Sequence, residues 1–76
     1  MHERIEINPR LRHGQPVIKG TRVPVTRILA EVAAGTAFDE IGRQCDVTVE
    51  DIRAAVAFAN ELLAAAFIPV AGGAER

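Results

Sequence analysis

The sequence has few means of stapling itself together. Cys45 is the one cysteine among 76 residues, so no disulfide can close within the chain. Two histidines, His2 and His13, and that thiol fall short of the ligand set of a zinc site, and no metal or cofactor is expected. Tryptophan and tyrosine are absent, and Phe38, Phe58 and Phe67 are the only aromatic residues. No apolar run approaches the ~20 residues that a membrane helix needs. The opening Met-His-Glu-Arg lacks the apolar stretch of a signal peptide, so a cytoplasmic location is expected. A catalytic constellation is also missing. Both histidines lie in the N-terminal arm without a nucleophile beside them, and Asp39, Glu40, Glu50 and Asp51 read as helix-start residues. The chain is expected not to be an enzyme.

Almost half the residues are apolar, but much of that content is alanine, which suits close helix packing. A chain of this size is expected to form one domain, and such a domain buries only about 60–65% of its unfolded surface. Such a core rarely supplies more than roughly 3–5 kcal/mol by itself. Oligomerisation is the remaining common source of stability, so a homodimer is expected.

A net charge of −1 conceals an asymmetry. Residues 1–27 carry six basic side chains (Arg4, Arg10, Arg12, Lys19, Arg22, Arg27) against Glu3 and Glu6, whereas residues 28–76 carry three basic side chains against eight acids. Contact with a polyanion is therefore expected through the N-terminal third, unless the two halves neutralise each other within the fold or a dimer.

The pattern predicts a mainly α fold with a short N-terminal β element. Ile5-Glu6-Ile7 alternates as a half-buried strand does, Asn8-Pro9 breaks it, and His13–Pro16 forms a second turn before Val17-Ile18. Residues 1–23 thus read as two small strands. Three helices are predicted over about 25–34, 37–44 and 49–67, with a frayed tail over 71–76. Pro24 opens the first, Val25, Ile28, Leu29 and Val32 form its apolar face, and Gly35 ends it. Thr36 with Asp39 and Thr48 with Asp51 are predicted capping boxes of the second and third. Phe38 and Ile41 are expected inward on the second helix. Cys45 falls in the turn after it, as a small core residue more than a reactive thiol.

On the third helix, Val49, Ile52, Val56, Ala59, Leu63 and Ala66 are spaced as a packing seam. A second stripe, Ala55, Phe58, Leu62 and Ala65, lies beside it. Phe58 and Leu62, with Phe67 and Ile68, are the candidates for a partner or dimer interface. The competing reading has the second stripe cover the N-terminal strands.

A short helix, a tight turn and a longer helix make a helix-turn-helix arrangement, whose second helix ordinarily enters the major groove by its N-terminal residues. Here Glu50 and Asp51 stand there with Arg53, an unfavourable set beside phosphates. Nucleic-acid contact is therefore sought at Arg10, Arg12, Lys19, Arg22, Arg27 and Arg53. The segment Gly14–Val25, GQPVIKGTRVPV, is the most unusual stretch. Its glycines and prolines fix the backbone, and Arg22 either presents a planar fork to a phosphate or acidic partner or, as an interior residue, ties down helix carbonyls or an acid in a dimer.

At this segment the chain resembles domain-of-unknown-function family 433, small prokaryotic proteins of the VapB-like antitoxin kind. The residues carrying the resemblance are Ile5-Glu6-Ile7-Asn8-Pro9, then Gly14, Pro16, Ile18, Gly20, Thr21, Arg22 and Val25. Gly35, Thr36, Glu40, Ile41, Val47, Thr48, Glu50, Asp51 and Ile52 follow in register, so about residues 5 to 60 are covered. Where such proteins often place an aromatic and a proline between the last two helices, this chain has Gln44-Cys45-Asp46. The resemblance implies a winged-helix or homeodomain-like fold and a role as antitoxin in a type II toxin-antitoxin pair. It further implies a PIN-like ribonuclease toxin as partner and transcription regulation by operator DNA binding. The alternative is an interaction module or dimeric scaffold that binds a partner protein without DNA.

Overall fold

A computed structural model of the chain, which describes residues 3–10 and 12–66, contains a two-stranded antiparallel sheet and three helices. Strand β1 (Ile5–Glu6) pairs with β2 (Val17–Ile18), Ile5 opposite Ile18 and Glu6 opposite Val17. Ile7 has left the strand and is exposed. Two residues per strand are too few to hold by themselves. The Lys19 amide therefore also donates to the Arg4 carbonyl at 2.8 Å, and the Val25 amide to the Pro16 carbonyl at 3.0 Å.

The chain leaves β2 through a turn that explains the Gly-Thr-Arg sequence. The Thr21 amide closes on the Ile18 carbonyl at 3.0 Å, which puts Gly20 at the third position of a four-residue turn with φ +82°. A type II turn requires that sign, and glycine meets it without a Cβ penalty. The Thr21 hydroxyl donates to the same Ile18 carbonyl at 2.7 Å and accepts from the Val23 amide at 3.0 Å. The Val23 carbonyl in turn takes the Ile18 amide at 2.9 Å.

Helix α1 (Val25–Ala33) starts from Pro24, whose carbonyl accepts from Arg27 and Ile28. It ends in a Schellman arrangement, with Gly35 N–H on the Val32 carbonyl and Thr36 N–H on the Glu31 carbonyl. Thr36 is thereby committed to α1, and its hydroxyl donates to Glu31 Oε1 at 2.8 Å. The box expected from Thr36 and Asp39 does not form. Helix α2 (Phe38–Cys45) begins at Ala37 with no side-chain cap, helped by Asp39 and Glu40 in its first turn.

Helix α3 (Val49–Ala66) starts with the box that was expected there. The Thr48 amide donates to Asp51 Oδ2 at 3.0 Å and the Asp51 amide to Thr48 Oγ1 at 3.1 Å. Asp46, in the left-handed region at φ 58°, ends α2, and the Val47 amide folds back on the Gly42 carbonyl at 3.1 Å.

All three helices pack on one another, and β1 packs on α3. The core is Ile18, Val25, Ile28, Ile41, Cys45, Val47, Ile52 and Ala55, with Ile5, Val23, Leu29, Val32 and Phe58 packed against it. Cys45 is the last residue of α2, buried and unpaired. Phe38, expected inward, is 38% exposed, because it opens α2 at the edge of the core while Ile41 and Cys45 take the inward positions one turn apart.

The seam of α3 is also displaced. Ile52 and Ala55 are buried and Ala59 half-buried, whereas Val49, Val56 and Leu63 are 40%, 39% and 71% exposed. Between Ile52 and Ala66 only Arg53, Asn60 and Glu61 are strongly polar, so two neighbouring stripes fit the same spacing. Packing against α1 and α2 selects the one that runs Ile52, Ala55, Ala59.

Among the described residues no helix is long and apolar enough to cross a membrane.

Gly42 lies inside α2, where replacement by alanine ordinarily stabilises by about 0.5–1 kcal/mol. A Cβ here would stand 2.8 Å from the Val47 carbonyl oxygen, a backbone atom of the following turn. Gly42→Ala is accordingly expected to destabilise, by about 1–3 kcal/mol as for other overpacked sites. Urea unfolding of the two proteins measures the sign.

Candidate nucleic-acid interface

The turn from Asp46 to Thr48 aims α3 away from α2, and a single carboxylate fixes where α3 begins. Asp51, besides its cap, accepts from Arg4 Nη1 at 3.1 Å, which ties the residue before β1 to the first turn of α3. Its side chain is only 14% exposed. Burial pushes the carboxyl up, but the Thr48 amide, the Arg4 guanidinium and the Thr48 hydroxyl outweigh that, leaving it below the usual carboxylate range. Of the two acids at the start of α3, one is therefore turned to structural use, and Glu50 alone is exposed.

Among the described basic candidates, Arg22 and Arg27 line one depression and Arg53 lines others. Arg22 and Arg27 line a common depression of about 530 Å³ with Pro24, Thr26, Gln44 and Cys45. It lies between the Gly-Thr-Arg turn, the first turn of α1 and the end of α2. Arg22 is exposed in the single chain. Arg53 lies elsewhere, on the outer face of α3. One depression there places it with Arg4, Ala54, Ala57 and three acids, Glu3, Glu50 and Glu61. A more apolar one places it with Phe38, Val56, Ala57 and Asn60. Lys19 is exposed beside the turn residue Gly20, and Arg10 is exposed in the loop after β1, where its amide donates to Asn8 Oδ1 at 2.9 Å. Among the described residues, Arg10, Lys19, Arg22 and Arg53 enter no ion pair. Arg27 approaches Glu31 through Nε at 3.9 Å, and Arg43 pairs with Glu40, which also accepts from Gln44 Nε2 at 2.8 Å.

Of the partner candidates, Phe58 is half-buried against the core, so the stripe expected to face a partner begins inside the fold with Ala55. Leu62 is 55% exposed. It extends the inward stripe Ile52, Ala55, Ala59 by one further step, past the end of the core. Phe67, Ile68, the expected tail and the side chain of Arg12 lie outside the described residues.

Two participants were not singled out from sequence. Gly42 carried a readable signal, since a mid-helix glycine costs about 1 kcal/mol relative to alanine and so points to a close approach. The pairing of Arg4 with Asp51 carried none, being 47 residues distant. Among the described residues no group of three or more His, Cys, Asp or Glu side chains is placed to hold a metal ion.

A family model described as "Protein of unknown function (DUF433)" matches residues 5–59. The chain belongs to the DUF433 family. The DUF433 match takes in both strands, α1, α2 and the part of α3 that reaches the core, and stops before Asn60. No curated protein and no solved structure matches the chain.

Since the Asp51 carboxyl titrates below its ordinary value, it contributes stability that is present above the unfolded value of about 3.9. That contribution is lost as pH falls through the lower folded value. Asp51→Asn is expected to flatten the acid limb of a stability–pH curve, and Thr48→Ala to cost about 1 kcal/mol at neutral pH. An acid limb unchanged by Asp51→Asn would remove this role.

Proposed function

We propose that the chain is an antitoxin of a type II toxin-antitoxin pair, acting by binding and not by catalysis. In this reading it neutralises a PIN-like ribonuclease toxin and, as a homodimer, binds operator DNA through its helix-turn-helix. The observation that carries the reading is the arrangement of α2 and α3 about the closed turn Asp46–Thr48, with the outer face of α3 left open from Val49 to Asn60. A second helix so placed ordinarily enters the major groove by its first residues, and a two-fold dimer then spans two half-sites. The three helices correspond to a homeodomain-like unit, and the strand pair packed on α3 takes the place of a wing. Membership of DUF433 supports the reading through the resemblance described above.

The toxin is assigned to the far end of α3. Leu62 and Leu63 are 55% and 71% exposed there, while both stand on a helix otherwise anchored by buried residues. Adjacent exposed leucines at the end of a rigid helix suit insertion into an apolar groove of a partner protein.

One observation favours the alternative, a partner-binding module that leaves DNA alone. The outer face of α3 shows Val49, Glu50 and Val56 around Arg53, where a base-reading helix would show Arg, Lys, Asn or Gln.

Gel shifts on the chain's own promoter, with and without the product of the neighbouring gene, separate the two. Operator affinity is expected to fall steeply between 50 and 200 mM salt as phosphate contacts release counterions. No shift at low salt in either case would leave only the module. Leu62→Glu and Leu63→Glu are each expected to abolish co-purification with the neighbouring gene product without shifting the melting temperature, and retained co-purification would move the toxin interface elsewhere.

A further inference from the structure

We propose that the depression shared by Arg22, Arg27, Thr26 and Gln44 is a phosphate-contact site for the DNA backbone, and that the Gly-Thr-Arg turn serves to hold Arg22 there. The proposal rests on the DNA-binding reading above and assigns the residues that reading leaves open.

Charge is the first argument. Two guanidiniums from different elements line one depression, and among the described residues no carboxylate lines it. Of the nearby acids, Glu31 accepts the Thr36 hydroxyl and meets Arg27, Glu40 pairs with Arg43 and accepts from Gln44, and Asp46, exposed, follows Cys45 in the turn. Arg53 offers a contrast, because the depression it shares with Arg4 is lined by three acids.

Position is the second. Gln44 and Cys45 close α2 immediately before the turn Asp46–Thr48, so the depression flanks the turn of the helix-turn-helix. When the second helix of such a unit lies in the major groove, the preceding helix crosses the sugar-phosphate backbone. A carboxylate-rich protein would satisfy an arginine fork equally well. Proximity to the turn favours DNA, while the exposed leucines that suit a protein partner are at the other end of α3.

Rigidity is the third. Arg22 is bracketed by Thr21, whose hydroxyl bridges the Ile18 carbonyl and the Val23 amide, and by Val23, whose carbonyl takes the Ile18 amide. An arginine on a fixed base gives up less freedom on contact than one on a mobile loop.

The test uses the full chain, a duplex carrying its own promoter and a scrambled duplex of equal length, with affinities followed by fluorescence anisotropy across 50 to 200 mM salt. Arg22→Ala and Arg27→Ala are each expected to weaken both duplexes alike and to reduce the slope of log affinity on log salt by about 0.9. The double substitution is expected to reduce it by about 1.8. Arg22→Lys keeps the charge and is expected to keep the slope. Both positions are exposed, and circular dichroism melts of each variant identify any loss that comes from unfolding. A wild-type slope retained in the double variant overturns the proposal while leaving DNA binding intact. Loss of neighbouring-gene-product binding with an unchanged DNA slope also overturns it, making the depression a protein interface. A wild-type chain that binds neither duplex, alone or with that product, overturns the DNA reading and this proposal together.

Discussion

The structure depends on four isoleucines, one from each element that meets at the centre. Ile18 of β2, Ile28 of α1, Ile41 of α2 and Ile52 of α3 are all fully buried, at 1% exposure or less. Burying a side chain of this size is worth about 1.5–3 kcal/mol, so each is comparable with the whole stability expected of so small a domain. No disulfide supplements them. The peripheral devices gain their importance from that economy. The Thr21 turn delivers Ile18, the tight approach of Gly42 to Val47 sets the angle between Ile41 and Ile52, and Asp51 with Arg4 holds the strand pair against α3. None is strong singly. Arg4 is half exposed in its pair, where an ion pair contributes little and the cap contributes more.

How much of this was legible in the residues follows from how local each cause is. The α1 face, its Gly35 terminus and the Thr48–Asp51 box are written within a few neighbouring positions, and all were readable. Thr36 and Asp39 present the same local signature as Thr48 and Asp51, yet only the second pair forms a box. The difference is that Thr36 is also the residue after Gly35, and closing α1 claims both its amide and its hydroxyl. A capping motif one residue beyond a helix end has two helices competing for it. The α3 seam failed for the opposite reason. With alanine at Ala54, Ala55, Ala57 and Ala59, spacing cannot say which stripe faces in, and the choice belongs to α1 and α2. At the candidate site, the basic character of the N-terminal third was visible, but its division into separate clusters was not, since that depends on where the Gly20 turn sends the chain.

The same reasoning changes the weight of the acids at the start of α3. In the sequence, Glu50 and Asp51 together oppose any approach to phosphate. In the fold, Asp51 is compensated by Arg4 and two Thr48 groups and presents little charge outward, so Glu50 and Arg53 are the charges that the first turns of α3 leave exposed. A helix start of that kind neither repels DNA strongly nor reads its bases well. On the DNA-binding reading proposed above, affinity must then come from charges off α3, and the depression flanking the turn has two arginines and no carboxylate among its lining residues. Contacts of that sort position a protein on a duplex without conveying sequence. A chain built this way would bind DNA weakly alone and gain selectivity by holding two such surfaces at a fixed spacing. Occupying the exposed leucines at the other end of α3 would leave the depression uncovered, so one partner need not displace the other.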